Sequence, residues 1–151
     1  MDRDGLNRSA GELVTPPPEA AAEFEAKQYA IAAELGERML ARPDLERLIG
    51  EDNREMMENN GRNFMRFMSS IFHHYDPDVF VETVYWVFRT YRQHGFHVSY
   101  WPANIDTSVE IMRQELSAPT FDAAYPFFDW LLLNIPAFTS HSDEEMGTVA
   151  P

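Results

Sequence analysis

The chain has 151 residues, 44% of them hydrophobic and 13% aromatic, enough for one domain with a sizeable core and too apolar for disorder throughout. Its net charge is −13, with 25 acidic against 12 basic residues, which disfavours nucleic acid and anionic membrane surfaces because both require a basic face. There is no cysteine, so disulfides, thiolate nucleophiles, iron–sulfur ligation and the usual structural zinc sites are excluded.

Residues 1–18 read as a disordered N-terminal tail. They mix Gly5, Ser9 and Gly11 with the run Thr15-Pro16-Pro17-Pro18, which cannot propagate a helix or a central strand. The start of a calcium loop at Asp2-Arg3-Asp4-Gly5 lacks the remaining ligand positions. From Glu19 the pattern turns helical, with Pro18 suited to a first turn and Ala20 to Ala22 favouring helix. Phe24, Gln28, Ile31, Leu35 and Met39 then form a narrow stripe at alternating spacings of four and three. Such a stripe serves either as the inner face of an amphipathic helix or as a subunit contact through Phe24, Ile31 and Leu35.

Arg42-Pro43 ends that helix, because the residue before proline avoids the α region. A second long helix is expected from about Glu51 to Tyr75, with Met56, Met57, Phe64, Phe67, Met68, Ile71 and Tyr75 on its apolar face. Asn60 and His74 project from that same face. Asp76-Pro77-Asp78 starts the next helix, with proline in the first turn and acid at the positive end of the dipole. This central helix carries Phe80, Val84, Val87 and Tyr91 on one face, widened by Val81, Tyr85 and Phe88. Trp86 lies on the other side among Glu82, Arg89 and Gln93, and Gly95 supplies a left-handed cap.

Two further helices are expected, over 102–116 and 121–135. The first has Ile105, Val109, Met112 and Leu116 on one face. The second is apolar nearly all round and therefore covered on more than one side. After Pro136, residues 137–151 read as a disordered acidic tail. No alternating strand pattern occurs, so the expected class is all-α, with about five helices over 19–136 in a globin-like or orthogonal bundle.

The chemistry searched for is mostly absent. There is no phosphate-binding or dinucleotide-binding glycine pattern, no nucleophile elbow, no Glu-x-x-His pair and no His-Glu-x-x-His. Asp106, Glu110, Glu115, Asp122 and Asp129 fall mostly on polar faces. His74 on an apolar face and His94 at a helix end remain as chemical handles. Each reads either as a histidine bonded to a nearby carbonyl or as an axial haem ligand in a pocket of Phe, Met and Tyr. The pocket so expected is lined by Phe64, Phe67, Met68, Ile71, His74, Tyr91 and His94. Outside the main faces, Trp86 with Arg89 marks an expected contact surface, since an aromatic on a polar face needs a cover.

An all-helical chain of this size, with one histidine near the end of a central helix and two helices after it, resembles the globin fold over roughly residues 19–136. His94 would then stand where globins carry the proximal ligand. The chain looks more like the non-haem, globin-like sensory modules at the N-terminus of RsbR-type stressosome regulators. That resemblance implies a helical, dimeric regulatory domain without catalytic residues or cofactor, haem being the alternative. No apolar run reaches the ~20 residues that span a bilayer, and the N-terminus shows no signal pattern. The expectation is a non-enzymatic cytoplasmic homodimer or partner-binding protein that engages neither nucleic acid nor membrane.

Overall fold

The computed structural model describes residues 2–149 of the protein, with side chains described for 2–144. Among the described residues there is no strand, and the helices are α1 (Arg3–Ala10), α2 (Pro18–Leu40), α3 (Leu45–Ile49), α4 (Arg54–His73), α5 (Pro77–Gln93), α6 (Tyr100–Glu115) and α7 (Ala118–Val149). The all-α expectation holds, with seven helices in place of about five. None of them is long and apolar enough to cross a membrane.

The α2 stripe behaves as the inner face of a helix. Phe24, Gln28, Ile31, Leu35 and Met39 are all buried, and α2 lies against α4, α6 and α7 of the same chain. The expected subunit contact through Phe24, Ile31 and Leu35 is therefore corrected to core, since the narrow seam is filled from within the chain. A relay of edge-to-face rings joins the layers. Phe24 of α2 meets Phe72 of α4 at 4.9 Å, and Phe72 meets Phe127 of α7 at 5.1 Å. Phe80 of α5 continues the relay to Trp130 at 5.3 Å. Such pairs add about 0.5–1.5 kcal/mol each beyond the area they bury.

Both chain ends depart from the expected tails. Residues 3–10 form α1, whose Leu6 and Ala10 are fully buried. Two apolar residues one turn apart make no visible stripe, and the helix is held by partners distant in sequence. The Tyr75 hydroxyl donates to the Ala10 carbonyl at 2.6 Å, and the Trp130 indole N–H donates to the Ser9 hydroxyl at 2.9 Å. Arg3 pairs with Glu82 and sits 4.6 Å from the centre of the Tyr85 ring. Asp2-Arg3-Asp4-Gly5 is no calcium loop but the helix start, with the Asp2 carboxylate accepting from the Gly5 N–H at 2.8 Å.

At the other end α7 runs through Pro126 and Pro136 to Val149. Each proline removes one backbone hydrogen bond, which is why Pro136 reads as a stop. Packing beyond it compensates: Phe138 and Ser142 are buried, and the Arg92 guanidinium of α5 donates to Ser142 Oγ at 3.0 Å while pairing with Asp143. Met1, Ala150 and Pro151, the outermost parts of the expected tails, lie outside the described residues.

Two turns lock one end of the bundle. Gly50 and Gly95 adopt φ values of +83° and +99°, and a Cβ on Gly50 would come within 3.2 Å of the Gly95 carbonyl oxygen. The Asn53 amide donates to the carbonyls of Ile49 and His94, at 2.7 and 2.8 Å. The turn before α4 is thereby fixed to the turn before α6.

The start of α7 is capped from α2. The Glu23 carboxylate accepts from the Ser117 N–H at 2.7 Å, the Ser117 hydroxyl at 2.6 Å and the Thr120 hydroxyl at 2.7 Å. The hydroxyl and N–H of Ser117, followed by the Thr120 hydroxyl, hold its carboxyl below the ordinary carboxylate range. Replacing Glu23 by Ala is expected to destabilise the protein by about 1 kcal/mol at neutral pH, the scale of a lost helix cap. A depressed pKa contributes stability above the unfolded value that is lost as pH falls through the folded one. The penalty should therefore shrink in acid, and urea midpoints that match wild type at pH 7 would contradict the cap.

Candidate ligand-binding cavity

The inner side of α5 does two different jobs. Phe80, Val81, Tyr85 and Phe88 are buried in the core, whereas Val84, Val87 and Tyr91 are only half-buried. Of the apolar face Phe80-Val84-Val87-Tyr91, only Phe80 is fully enclosed, and the other three pack partly buried against the core. The reason is that α5 makes its close backbone approaches to α1 and α7. It has fewer close backbone approaches to α4, which it meets through the stacked Phe67–Phe80 pair, and the face between them borders a cavity.

The cavity measures about 280 Å³. From α4 it is lined by Asn60, Phe64 and Phe67, and from α5 by Val84, Trp86, Val87 and Tyr91. Trp101 and Ile105 of α6 and Leu131, Ile135 and Phe138 of α7 close the far side. Its polar lining residues are Asn60, Asn63, Thr83 and Tyr91, and the indoles of Trp86 and Trp101 belong to its aromatic walls. Burial pushes the Tyr91 hydroxyl above its ordinary value, so it is neutral at physiological pH. No acid, lysine, arginine or histidine lines the space.

Beneath it runs a buried polar ladder. The Tyr100 hydroxyl accepts from the Asn60 amide of α4 and from the Asn104 amide of α6, both at 3.0 Å. The Ser108 hydroxyl in turn donates to Asn104 Oδ1 at 3.2 Å. All four residues are buried. Burial, only partly offset by the two amide hydrogen bonds, pushes the Tyr100 hydroxyl up to about 12.

Trp101 forms part of the wall, stacked on Phe88 at 5.5 Å and meeting Tyr91 edge-on at 6.0 Å. Its side chain is 9% exposed, and its indole N–H is buried without an acceptor. Trp86 lines the same cavity yet is 54% exposed.

Of the residues expected in a pocket, Phe64, Phe67 and Tyr91 line the cavity. Met68 and Ile71 are buried core residues instead and do not line it. His74 is exposed at the C-cap of α4, in an open polar depression with Glu25, Gln28, Arg66 and Ser69. His94 is exposed where α5 ends, and it contributes its backbone carbonyl to Asn53. Neither His74 nor His94 joins the pocket, so neither offers haem an axial ligand there. No group of three or more His, Asp or Glu among the described residues is placed to hold a metal ion. On the contact surface, Trp86 is exposed as expected, while Arg89 is half-buried with its guanidinium 6.0 Å from the Tyr85 ring centre.

Sequence reasoning missed the walls from α6 and α7. Asn60, a polar residue on an apolar helix face, was the available signal for the ladder.

Alkaline stability should report the ladder. A tyrosine raised in the folded state contributes stability below pH 10 that is lost as pH rises toward 12. Tyr75, raised to about 12 by burial and by Asp76, acts in the same direction. Unfolding free energies from urea titrations should therefore decline above pH 10, by at most about 1.4 kcal/mol per pH unit for each group. Tyr100→Phe should flatten the decline while lowering stability at pH 7 by about 1–3 kcal/mol through its stranded amides. An unchanged slope in that variant would contradict the assignment. Compared with protein-family models, characterised proteins and solved structures, the chain shows no significant match, so the functional reading rests on the cavity itself.

Proposed function

We propose that the chain is a non-enzymatic regulatory or sensory domain of the cytoplasm, globin-like in layout, that acts by pairing with a second copy of itself and takes a small ligand in its apolar cavity. One observation carries this reading: Trp86 belongs both to the cavity wall and to the exposed surface. A guest that touches the indole from within alters the group that a partner meets from outside. Differential contact of this kind is what a ligand needs in order to shift an association equilibrium.

The outer side of α5 supports a contact there. Val79 and Trp86, seven residues apart and so on one face, are 51% and 54% exposed. Exposed apolar groups rimmed by polar ones, here Glu82 and Gln93, favour protein association. The net charge of −13 opposes pairing of two copies, so the contact is expected to be weak and to strengthen with salt. Haem is not part of this reading, because His74 and His94 lie away from the cavity.

Sedimentation velocity tests the proposal. Wild type at tens of micromolar and moderate salt is expected to show a monomer–dimer equilibrium whose position changes with naphthalene. Trp86→Ala should weaken dimerisation at least about tenfold, as for a buried aromatic anchor. A wild type that stays monomeric with and without naphthalene would falsify the pairing.

A further inference from the structure

Asn60 is where the buried polar ladder meets the cavity. It lines the cavity from α4, is only 3% exposed, and spends an amide N–H on the Tyr100 hydroxyl. Its side-chain oxygen has no hydrogen-bond partner among the described residues. Three other side-chain atoms without a partner, Asn7 Oδ1, Gln28 Oε1 and the Trp101 indole nitrogen, are sealed inside the protein. Asn60 Oδ1 is not sealed, and the space that Asn60 borders is the cavity. Buried acceptors are almost always satisfied, and one that keeps open surface beside an apolar space can be met by a donor entering that space.

The remaining walls limit what carries that donor. An apolar cavity of ~150 Å³ holds benzene. The present cavity of about 280 Å³ is therefore suited to roughly two fused rings. The rings of Phe64, Phe67, Tyr91 and Trp101 in its walls favour a flat aromatic guest. No charged side chain lines it, and the protein is strongly acidic, so nothing compensates a carboxylate or phosphate brought inside. A cation would likewise find no carboxylate on the walls. We infer that the cavity takes a neutral, flat, largely apolar two-ring molecule bearing one hydroxyl or N–H donor, which the Asn60 side-chain oxygen accepts. The inference rests on the proposed function and adds to it the ligand's chemical class and the residue that reads it.

Four probes on one ring system separate the possibilities: 2-naphthol (neutral, with a donor), 2-methoxynaphthalene (an ether oxygen but no donor), naphthalene (neither) and 2-naphthoate (an anion). Calorimetry on the wild-type chain at neutral pH should show 2-naphthol binding about 3- to 10-fold more tightly than 2-methoxynaphthalene or naphthalene, the size of one net hydrogen bond. 2-Naphthoate should bind most weakly. With ¹³C-labelled asparagine, the Asn60 side-chain carbonyl carbon should move downfield with 2-naphthol and far less with 2-methoxynaphthalene, a readout that needs no variant. Asn60→Leu should bring 2-naphthol and 2-methoxynaphthalene within about twofold of each other. Equal affinities of these two in wild type, or a tighter 2-methoxynaphthalene, with naphthalene saturable, would overturn the donor inference and leave the cavity reading standing. Failure of all three neutral probes to bind would overturn both. Tightest binding by 2-naphthoate would overturn the neutral class.

Discussion

The Tyr100 hydroxyl is the junction on which the arrangement of helices depends. It accepts hydrogen bonds from Asn60 on α4 and Asn104 on α6, both at 3.0 Å, in a setting with no water-exposed surface on the ring. A half-satisfied buried network is worse than an apolar core, so this pairing holds only when α4 and α6 keep one relative position. The turns at Gly50 and Gly95 fix the neighbouring ends of the same two helices. The floor of the cavity is therefore rigid for reasons of polar satisfaction, and its roof is α5.

What holds α5 comes from other directions. α1 grips it through Arg3, which touches both Glu82 and Tyr85, and α7 grips it through Arg92 and the core rings. With its close packing spent on α1 and α7, α5 leaves Val84, Val87 and Tyr91 against an open space. Apolar walls without partners forgo dispersion contacts that a guest can restore. A fixed floor under a separately tethered roof is an arrangement in which such a guest would act on α5, the helix that also carries the exposed Trp86.

Much of this was legible in the sequence, and what was not has physical causes. Periodicity located α2, α4, α5 and α6 within a few residues and identified the class, because each carries a sustained apolar stripe. α1 was invisible because two buried apolar residues make no stripe. The extension of α7 was hidden because a proline is a local penalty, whereas burial of Phe138 and the Arg92 clamp are tertiary facts. Within the site, Phe64, Phe67 and Tyr91 were found from amphipathic faces. Those faces do not tell a core position from a cavity wall, which is why Met68 and Ile71 were grouped with them. His74 and His94 attracted attention as the titratable groups nearest the apolar faces, yet both sit at helix ends, where the chain turns outward. Trp86 was readable from its polar neighbours alone.

The central claim is that an accessible apolar space lies between α4 and α5 and accepts guests. Xenon enters such spaces, so methyl-resolved NMR under increasing xenon pressure addresses it without a ligand being assumed. The methyls of Val84, Val87 and Ile105 are expected to shift saturably, while those of the exposed Val14 and Leu133 change only slightly and linearly. Uniformly small, linear shifts throughout would contradict the account.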